Sequence, residues 1–198
     1  MPDSGGLSAH LLCAVPQLLD PNFERAVVLM LEHNEEGALG LVLTDELPNR
    51  LELVLDDLEV LWAGDTDALL RKGGPVEPSR GWIMHDTPSW DPTCQEVLRG
   101  VWLTTSLDDV DRGLAVGEDG KFVFLLGYAG WGPRQLEEEI AAGSWVAVPI
   151  GQASEGGQMP PQWLFDVAAE DLWAKALGVM GIDPARLVGL PNRDAALH

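Results

Sequence analysis

The sequence predicts an α+β domain, in which strands and helices follow one another without a regular βαβ alternation. Continuous apolar runs of strand length occur at 26–31 and 38–43, and such runs are typical of buried strands. The segment at 121–127 is the most strand-like run in the chain. A stretch at 169–180 instead carries its apolar residues at helical spacing. The length of 198 residues fits one domain, because domains commonly span about 50–200 residues.

The first part of the chain is predicted to fold as strands. A strand at 11–15 ends at a proline, and residues 20–22 then form a turn. The runs at 26–31 and 38–43 form a hairpin, in which Gly37 supplies the positive φ that a tight turn requires.

The rest of the chain is predicted to mix helices and strands irregularly. The apolar spacing at 51–62 predicts a helix, and the Gly-Gly-Pro sequence at 73–75 predicts a rigid turn. Ser106 suits the N-cap of a helix at 106–117. The remaining predicted elements are strands at 81–85, 100–105, 121–127 and 144–149, a short strand or hydrophobic staple at 163–165, loops at 86–93 and 153–161, a turn at 130–133, and helices at 133–142, at 169–180 and after 183–184.

The charge of the chain argues against nucleic acid and membrane partners. Lys and Arg total 12 and Asp and Glu total 32, which gives a net charge of −20. A field of this sign repels phosphate backbones and anionic lipids, whose binding needs clustered Lys and Arg. The densest basic stretch is only Arg71-Lys72. We therefore expect no direct binding to nucleic acid and no membrane association.

The cysteines and the N-terminal residues favour a cytoplasmic location. Cys13 and Cys94 are isolated and lack a CxxC spacing, so they do not predict a disulfide framework. Residues 1–6 carry no basic region and no long apolar stretch, so no signal peptide is expected. No run of about 18 apolar residues predicts a membrane span. These features predict a protein of the reducing cytoplasm.

Five motifs stand in order along the chain. They lie at 20–28 with 32–42, at 73–76 with 80–85, at 103–107, at 127–133 with 135–137, and at 144–145. Together they resemble the signature of the AlgH/YqgE family of bacterial proteins. The chain departs from that family at Thr44-Asp45, where an Asn-Arg pair is usual, and at Arg134, where a glycine is usual. The first departure places an acid where relatives place a base.

The resemblance implies a fold, and it implies no established activity. The implied fold is a branched, mixed β-sheet with a small closed β-barrel, surrounded by helices. It forms a single domain at 9–190, with a flexible N-terminal tail at 1–8 and a C-terminal tail at 191–198. Some members of the family are described as transcriptional regulators, but the net charge of −20 argues against direct contact with DNA here.

Two histidines are the candidates for chemistry. His33 and Glu35 share one face of a strand, because alternate residues point the same way, and a histidine beside a carboxylate suits a general base or a metal ligand. His85 joins them only if the fold brings it near. Otherwise His33 and Asn34 satisfy backbone groups at the end of a strand. The spacing matches no known metal signature, so neither a metal nor a cofactor is predicted.

The glycine-rich block at 127–133 is the other candidate. Glycines that follow a strand and precede a helix let a ligand approach the backbone closely. Tyr128 and Trp131 would then clamp an apolar or peptide ligand, while the glutamates at 137–139 disfavour a phosphate. The alternative is a tight turn whose aromatic rings pack on the core.

The sequence favours a non-catalytic binding or regulatory protein that acts through a protein partner or a small ligand. Its candidate binding residues are His33, Asn34, Arg80, His85, Tyr128 and Trp131. The alternative is a small-molecule hydrolase or metal-assisted enzyme that uses His33, Glu35 and His85. Convergence of the two histidines with a carboxylate would favour the enzyme, and their separation would count against it.

Overall fold

The computed structural model describes residues 7–51, 53–54, 69–105, 120–151 and 157–188, and a single branched β-sheet dominates that part of the chain. The strands are β1 (His10–Ala14), β2 (Val27–Asn34), β3 (Gly37–Val42), β4 (Glu46–Arg50), β5 (Leu69–Lys72), β6 (Val76–His85), β7 (Gln95–Leu98), β8 (Val101–Thr104), β9 (Phe122–Trp131) and β10 (Trp145–Pro149). The helices are α1 (Gln135–Ala141), α2 (Trp163–Asp166), α3 (Ala169–Val179) and α4 (Pro184–Val188), with 3-10 turns at Pro21–Phe23 and Pro88–Trp90. The predicted α+β class is confirmed.

The predicted hairpin is confirmed in β2 and β3. The two strands pair antiparallel from Val28 opposite Val42 to Asn34 opposite Gly37, and Gly37 has a φ of +136°. A Cβ atom at Gly37 would lie 2.2 Å from the carbonyl oxygen of Trp131. Glycine is therefore required here both by the turn and by the close approach of β9.

The sheet branches at β9. One edge of this strand pairs in parallel with β5, with Leu70 opposite Phe124, and further along pairs antiparallel with β3, with Ala38 opposite Trp131. The other edge pairs antiparallel with β6. Because β5 also pairs with β4, these two short strands form the branch of a mixed sheet.

The sheet curls into an open half-barrel. Its main path of pairing runs β10-β1-β2-β3-β9-β6-β8-β7. Among the described strands, no pairing joins β10 to β7. The structure therefore does not show the closed barrel that the family resemblance implies.

Three apolar clusters distinguish the faces of the sheet. The main core contains side chains from both halves of the sheet, such as Leu125, and from α3, such as Trp173. The α1 core includes Leu136 of α1 and side chains of β1, β2 and β3. The third core contains Leu70, Ile83 and Phe124 from β5, β6 and β9. The cluster that a side chain joins thus identifies the face on which it lies.

Other predictions differ from the structure mainly at element ends. Strands β1, β6, β8 and β10 and helices α1, α3 and α4 are confirmed with shifted ends. Of the two alternatives at 163–165, the short strand is wrong, because Trp163–Asp166 is a helical turn. The turn predicted at 130–133 begins later, because β9 continues through Trp131. Strands β4, β5 and β7 were not predicted, since each has only four or five residues and no clear alternation.

Several predictions fall outside the described residues. They are the helix at 106–117, most of the helix at 51–62, and the tails except for residues 7 and 8. Leu51, Leu53 and Val54, at the start of the predicted helix, are described and are helical. Within the described ranges, no helix combines the length and apolar character needed to cross a membrane.

Candidate functional site

The six residues predicted to share one binding surface lie in three separate places. His33, Asn34 and Trp131 lie where the β2–β3 hairpin meets β9 and α1, with Trp131 in the α1 core. Arg80 and Tyr128 lie together on the face of the main core. His85 lies at the far end of β6. The fold thus brings together only parts of the predicted surface.

His33 and Asn34 hold the hairpin in place. The Nδ1 atom of His33 accepts the backbone N–H of Leu7 at 3.1 Å, so in the neutral ring Nε2 carries the hydrogen. That Nε2 lies 3.4 Å from Oε1 of Glu137 on α1. Asn34 Oδ1 accepts the backbone N–H of Glu36 at 2.8 Å across the turn. These contacts match the alternative in which both side chains satisfy groups at the end of a strand.

Trp131 belongs to the core. It is 6 % exposed, stacks on Phe23 with ring centroids 6.0 Å apart, and meets Trp145 edge-on at 5.9 Å. Its indole Nε1 donates to Glu139 Oε2 at 3.0 Å. The ring therefore packs on the core and is not placed to clamp a ligand at the surface.

His85 belongs to a buried hydrogen-bonded chain. Its Nε2 lies 3.0 Å from Thr104 Oγ1, and the Thr104 hydroxyl donates to Asp91 Oδ2 at 2.8 Å. Because a carboxylate only accepts, the Thr104 oxygen in turn accepts from His85 Nε2. All three side chains are at most 4 % exposed. These hydrogen bonds connect the loop after β6 to β8, so the three side chains have a structural role.

The pKa values in this chain favour a neutral histidine beside an ionised carboxylate. Burial lowers the pKa of His85, although a backbone hydrogen bond at Thr87 and the charges of Asp91 and Asp86 oppose the shift. Burial would raise the pKa of Asp91, but hydrogen bonds from Thr93 and Thr104 hold it below its usual value. With His85 neutral and Asp91 ionised, the buried hydrogen bonds can hold the loop in place without a change of protonation.

His33 and His85 do not converge. His33 pairs with Ala38, which pairs with Trp131 at one end of β9, whereas His85 pairs with Phe122 at the other end. The ten residues of β9 separate them by about 30 Å. Among the described residues, no three His, Cys, Asp or Glu side chains are grouped so that they could hold a metal ion. The geometry thus separates the two histidines on which the hydrolase or metal-assisted alternative relies.

Arg80, Trp82 and Tyr128 form a compact group, here named the Arg80 cluster. The guanidinium carbon of Arg80 lies 4.4 Å from the centroid of the Trp82 ring and 5.7 Å from that of Tyr128. The two rings meet edge-on at 6.2 Å. Arg80 also pairs with Glu77 at 3.3 Å, and its side chain is 44 % exposed. The cluster therefore presents a half-exposed cation that lies over the aromatic rings of Trp82 and Tyr128.

A polar cavity near the first 3-10 turn shows no preference for the charge of a ligand. It has a volume of about 260 Å³ and lies between residues 21–26 and the end of β3. Asp45 and Arg25 both line it, and Lys72 Nζ lies 4.0 Å from Asp45 Oδ2. The departure from the family at Thr44-Asp45 thus lies in this cavity. Because acids and bases alternate around it, the cavity favours neither an anion nor a cation.

Sequence analysis missed Trp82 and Arg71. Trp82 stands within the motif at 80–85, and Arg71 belongs to the densest basic stretch. Both side chains are nearly buried, at 5 % and 8 % exposed. An arginine inside a short apolar strand was the available signal, but only the register of β5 on β9 shows which face it occupies.

Comparisons with known proteins agree on one family. The AlgH-like family model matches residues 11–185. A UPF0301 protein of Myxococcus xanthus is 43 % identical over 92 % of this chain and 95 % of its own length, and one of Ralstonia nicotianae is 37 % identical over 92 % and 93 %. The solution structure of AlgH from Pseudomonas aeruginosa is similar with a TM-score of 0.71 and 29 % identity, over 96 % of this chain and 97 % of that one. A crystal structure from Corynebacterium diphtheriae, with a TM-score of 0.69 and 16 % identity over 95 % and 94 %, shares the fold.

Proposed function

This chain belongs to the AlgH-like family, and we propose that it is a non-catalytic binding protein that recognises a protein partner through the Arg80 cluster. The observation that carries the proposal is the stacking of Arg80 on Trp82, 4.4 Å away, with Tyr128 beside both. Arg, Trp and Tyr are the residues that most often dominate the binding energy of protein interfaces. Here Arg80 and Tyr128 reach the surface, and the buried ring of Trp82 supports Arg80 before any partner arrives.

The stacking also supports a specific kind of contact. An arginine whose plane is fixed by an aromatic ring loses little entropy when it binds, and its fork matches a carboxylate. Glu77 occupies this fork only through a single contact of 3.3 Å, and both side chains are about half exposed, so the pair is weak. We therefore expect the partner to place a carboxylate on Arg80 and displace Glu77.

The charge of the whole chain limits the partner further. A net charge of −20 repels a strongly acidic protein and slows its association. The proposed partner is consequently neutral or basic overall, with a local carboxylate at its interface. We also infer a reducing compartment such as the cytoplasm, which the free thiols of Cys13 and Cys94 support.

Site-specific photo-crosslinking in extracts of the native cell tests the proposal. A photoreactive amino acid at exposed Ser79, beside Arg80, is compared with one at exposed Glu170 on α3. We expect a protein that crosslinks from position 79 and not from position 170, and that is lost when Arg80→Ala is added to the same chain. Arg80→Lys is expected to weaken it, because lysine keeps the charge and loses the planar stack.

Two results would count against this function. One is the same crosslinked protein at equal yield with Arg80→Ala, provided that thermal unfolding shows the variant to be folded. The other is crosslinking from position 170 alone, which would move the interface to α3.

A further inference from the structure

Within the described ranges, Arg71 is a buried cation without a counter-ion. Its side chain is 8 % exposed, and its Nη1 is fully buried without a hydrogen-bond partner. Glu46 lies opposite Arg71 on β4, but Glu46 is exposed and no ion pair joins them among the described residues. Burial lowers the pKa of Arg71, and the charge of Glu46 opposes this shift. An unpaired charge in the interior is strongly destabilising unless something neutralises it.

Trp82 is a second buried donor for which the described part of the chain provides no acceptor. It is 5 % exposed, and its indole Nε1 has no hydrogen-bond partner. A buried polar group in this state usually finds a protein or bound acceptor. The ring itself is well placed, since it packs in the main core and supports Arg80. The unsatisfied N–H is therefore not explained by a loose or exposed side chain.

The register of the sheet places these two donors on one face. Leu70, Phe124 and Ile83 are paired across β5, β9 and β6, and they form the third core. The next residues, Arg71, Leu125 and Trp82, are paired in the same way. They point to the opposite face, because successive side chains of a strand alternate. Leu125 and Trp82 accordingly belong to the main core.

The spacing suits one small acceptor held between the donors. Arg71 and Trp82 lie two strands apart, so their Cα atoms are about 10 Å apart across Leu125. Both side chains are long enough to reach towards each other over that leucine. A group that accepts from a guanidinium and from an indole N–H at once is an anion with two oxygens, and a carboxylate is the match for the guanidinium fork.

We infer that Arg71 and Trp82 form an internal binding site for a small organic carboxylate. The carboxylate accepts hydrogen bonds from Arg71 Nη1 and Trp82 Nε1, and its apolar body lies against the main core beside Leu125. The apolar surroundings favour an acid with a short hydrocarbon chain over an inorganic anion, which would bury no apolar surface there. The site shares the Trp82 ring with the Arg80 cluster, but a partner on Arg80 needs neither the Arg71 guanidinium nor the Trp82 N–H, so either proposal can fail without the other.

Thermal unfolding with added carboxylates tests the site. The full-length protein is heated with sodium formate, acetate or butyrate at constant ionic strength, with sodium chloride and sodium sulfate as comparison salts. A ligand that binds only the folded state raises Tm with its concentration, by about 5 °C or more at one hundred times its Kd. We expect butyrate to exceed acetate and formate, and all three to exceed chloride.

Matched variants identify the donors. Arg71→Met removes the buried charge and keeps the volume, so we expect it to be at least as stable as the unsubstituted protein without ligand and to lose the carboxylate response. Trp82→Phe keeps a ring and removes the N–H, so we expect about tenfold weaker binding. Sulfate stabilises proteins generally by exclusion from their surface, and that response is expected to persist in Arg71→Met.

An NMR measurement does not depend on the stability of any variant. The indole N–H signal of Trp82, assigned by its loss in Trp82→Phe, is expected to shift during titration of the unsubstituted protein with butyrate. No shift of this signal at saturating butyrate would overturn the site. So would a carboxylate response that Arg71→Met retains, or a Tm rise with butyrate no greater than with chloride. A large destabilisation of Arg71→Met without ligand would also overturn it, because the charge would then be satisfied within the chain.

Discussion

Glu139 is the single residue on which the aromatic part of the α1 core depends. Its Oε2 accepts the indole N–H of Trp131 at 3.0 Å and that of Trp145 at 2.8 Å. Its Oε1 accepts the side-chain amide of Gln135 at 3.0 Å. Both tryptophans are at most 6 % exposed, so water cannot easily replace the carboxylate. One side chain on α1 therefore satisfies the polar atoms of two buried rings on β9 and β10.

Replacing Glu139 with alanine is expected to destabilise the protein by about 2–4 kcal/mol. The reason is that two buried indole N–H groups lose the carboxylate that accepts from both, and each such group costs about 1–3 kcal/mol. Glu139→Gln keeps one acceptor oxygen and is expected to cost less. The measurement is urea unfolding followed by tryptophan fluorescence. Glu138→Ala, at an exposed neighbouring position, is the control, and an equal loss in that variant would show that the hydrogen bonds contribute little.

Cys13 is expected to make the folded protein less stable at alkaline pH. Its thiol is fully buried, and burial raises its pKa from 9.0 to about 12. The unfolded chain thus releases this proton at lower pH than the folded protein. The contribution of the thiol to stability is complete below pH 9 and is lost as the pH rises towards 12.

We expect the free energy of unfolding to fall above pH 9 by about 1.4 kcal/mol per pH unit more than in Cys13→Ala. Unfolding curves at half-unit pH steps, compared between the two proteins, measure this difference. The cavity left by alanine lowers the free energy of unfolding by the same amount at every pH. It therefore does not affect the comparison of the two pH profiles. Parallel pH profiles would contradict the buried, protonated thiol.

At the scale of elements, the hairpin was predictable and the faces around β9 were not. Apolar runs on both sides of Gly37 are sufficient to predict β2 and β3, because the signal is local. In β9, the pairing with β6 shifts between Val76 and Gly81, and Gly127 has a φ of +72°. This bulge changes the alternation, so Tyr128 packs on the main core while Trp131 enters the α1 core. Alternation alone puts residues three apart on opposite faces, but the irregularity at Gly127 decides which face each takes, and no sequence period indicates that shift.

Two glycines give opposite expectations for the same substitution. Gly37→Ala introduces a Cβ atom 2.2 Å from a backbone oxygen of β9 at a φ of +136°, so we expect a loss of more than about 2 kcal/mol. Gly178 lies in α3, and a Cβ atom there meets nothing within 4 Å. Gly178→Ala is expected to stabilise by about 0.5–1 kcal/mol, because alanine favours helix. Thermal unfolding ranks the two variants. A stable Gly37→Ala protein would mean that the hairpin and β9 do not approach this closely.

At the scale of the whole molecule, composition and motifs predicted the class and family but not the sites. The α+β class follows from periodicity, which each segment carries alone. The Arg80 cluster and the Arg71–Trp82 pair depend instead on β9, a strand much later in the chain that lies between the consecutive strands β5 and β6. Arg71 and Arg80 are separated by a turn and by the shifted register of β6. Their relation to Trp82 is consequently a property of topology, which local patterns do not encode.

The net charge of −20 predicts how salt affects the whole protein. With 32 acidic and 12 basic residues, repulsion between acidic groups opposes the compact state. Raising sodium chloride from about 10 mM to 1 M shortens the screening length from about 30 Å to about 3 Å. We expect Tm to rise by several degrees, mostly at the lower concentrations, where screening changes most.

Calorimetry in sodium chloride and in potassium chloride should give the same rise, because screening depends on ionic strength. The rise should also persist in Arg71→Met, which separates screening from binding at the internal site. A Tm that falls over this range would mean that attractive ion pairs, such as those on Arg80 and Lys175, outweigh the repulsion.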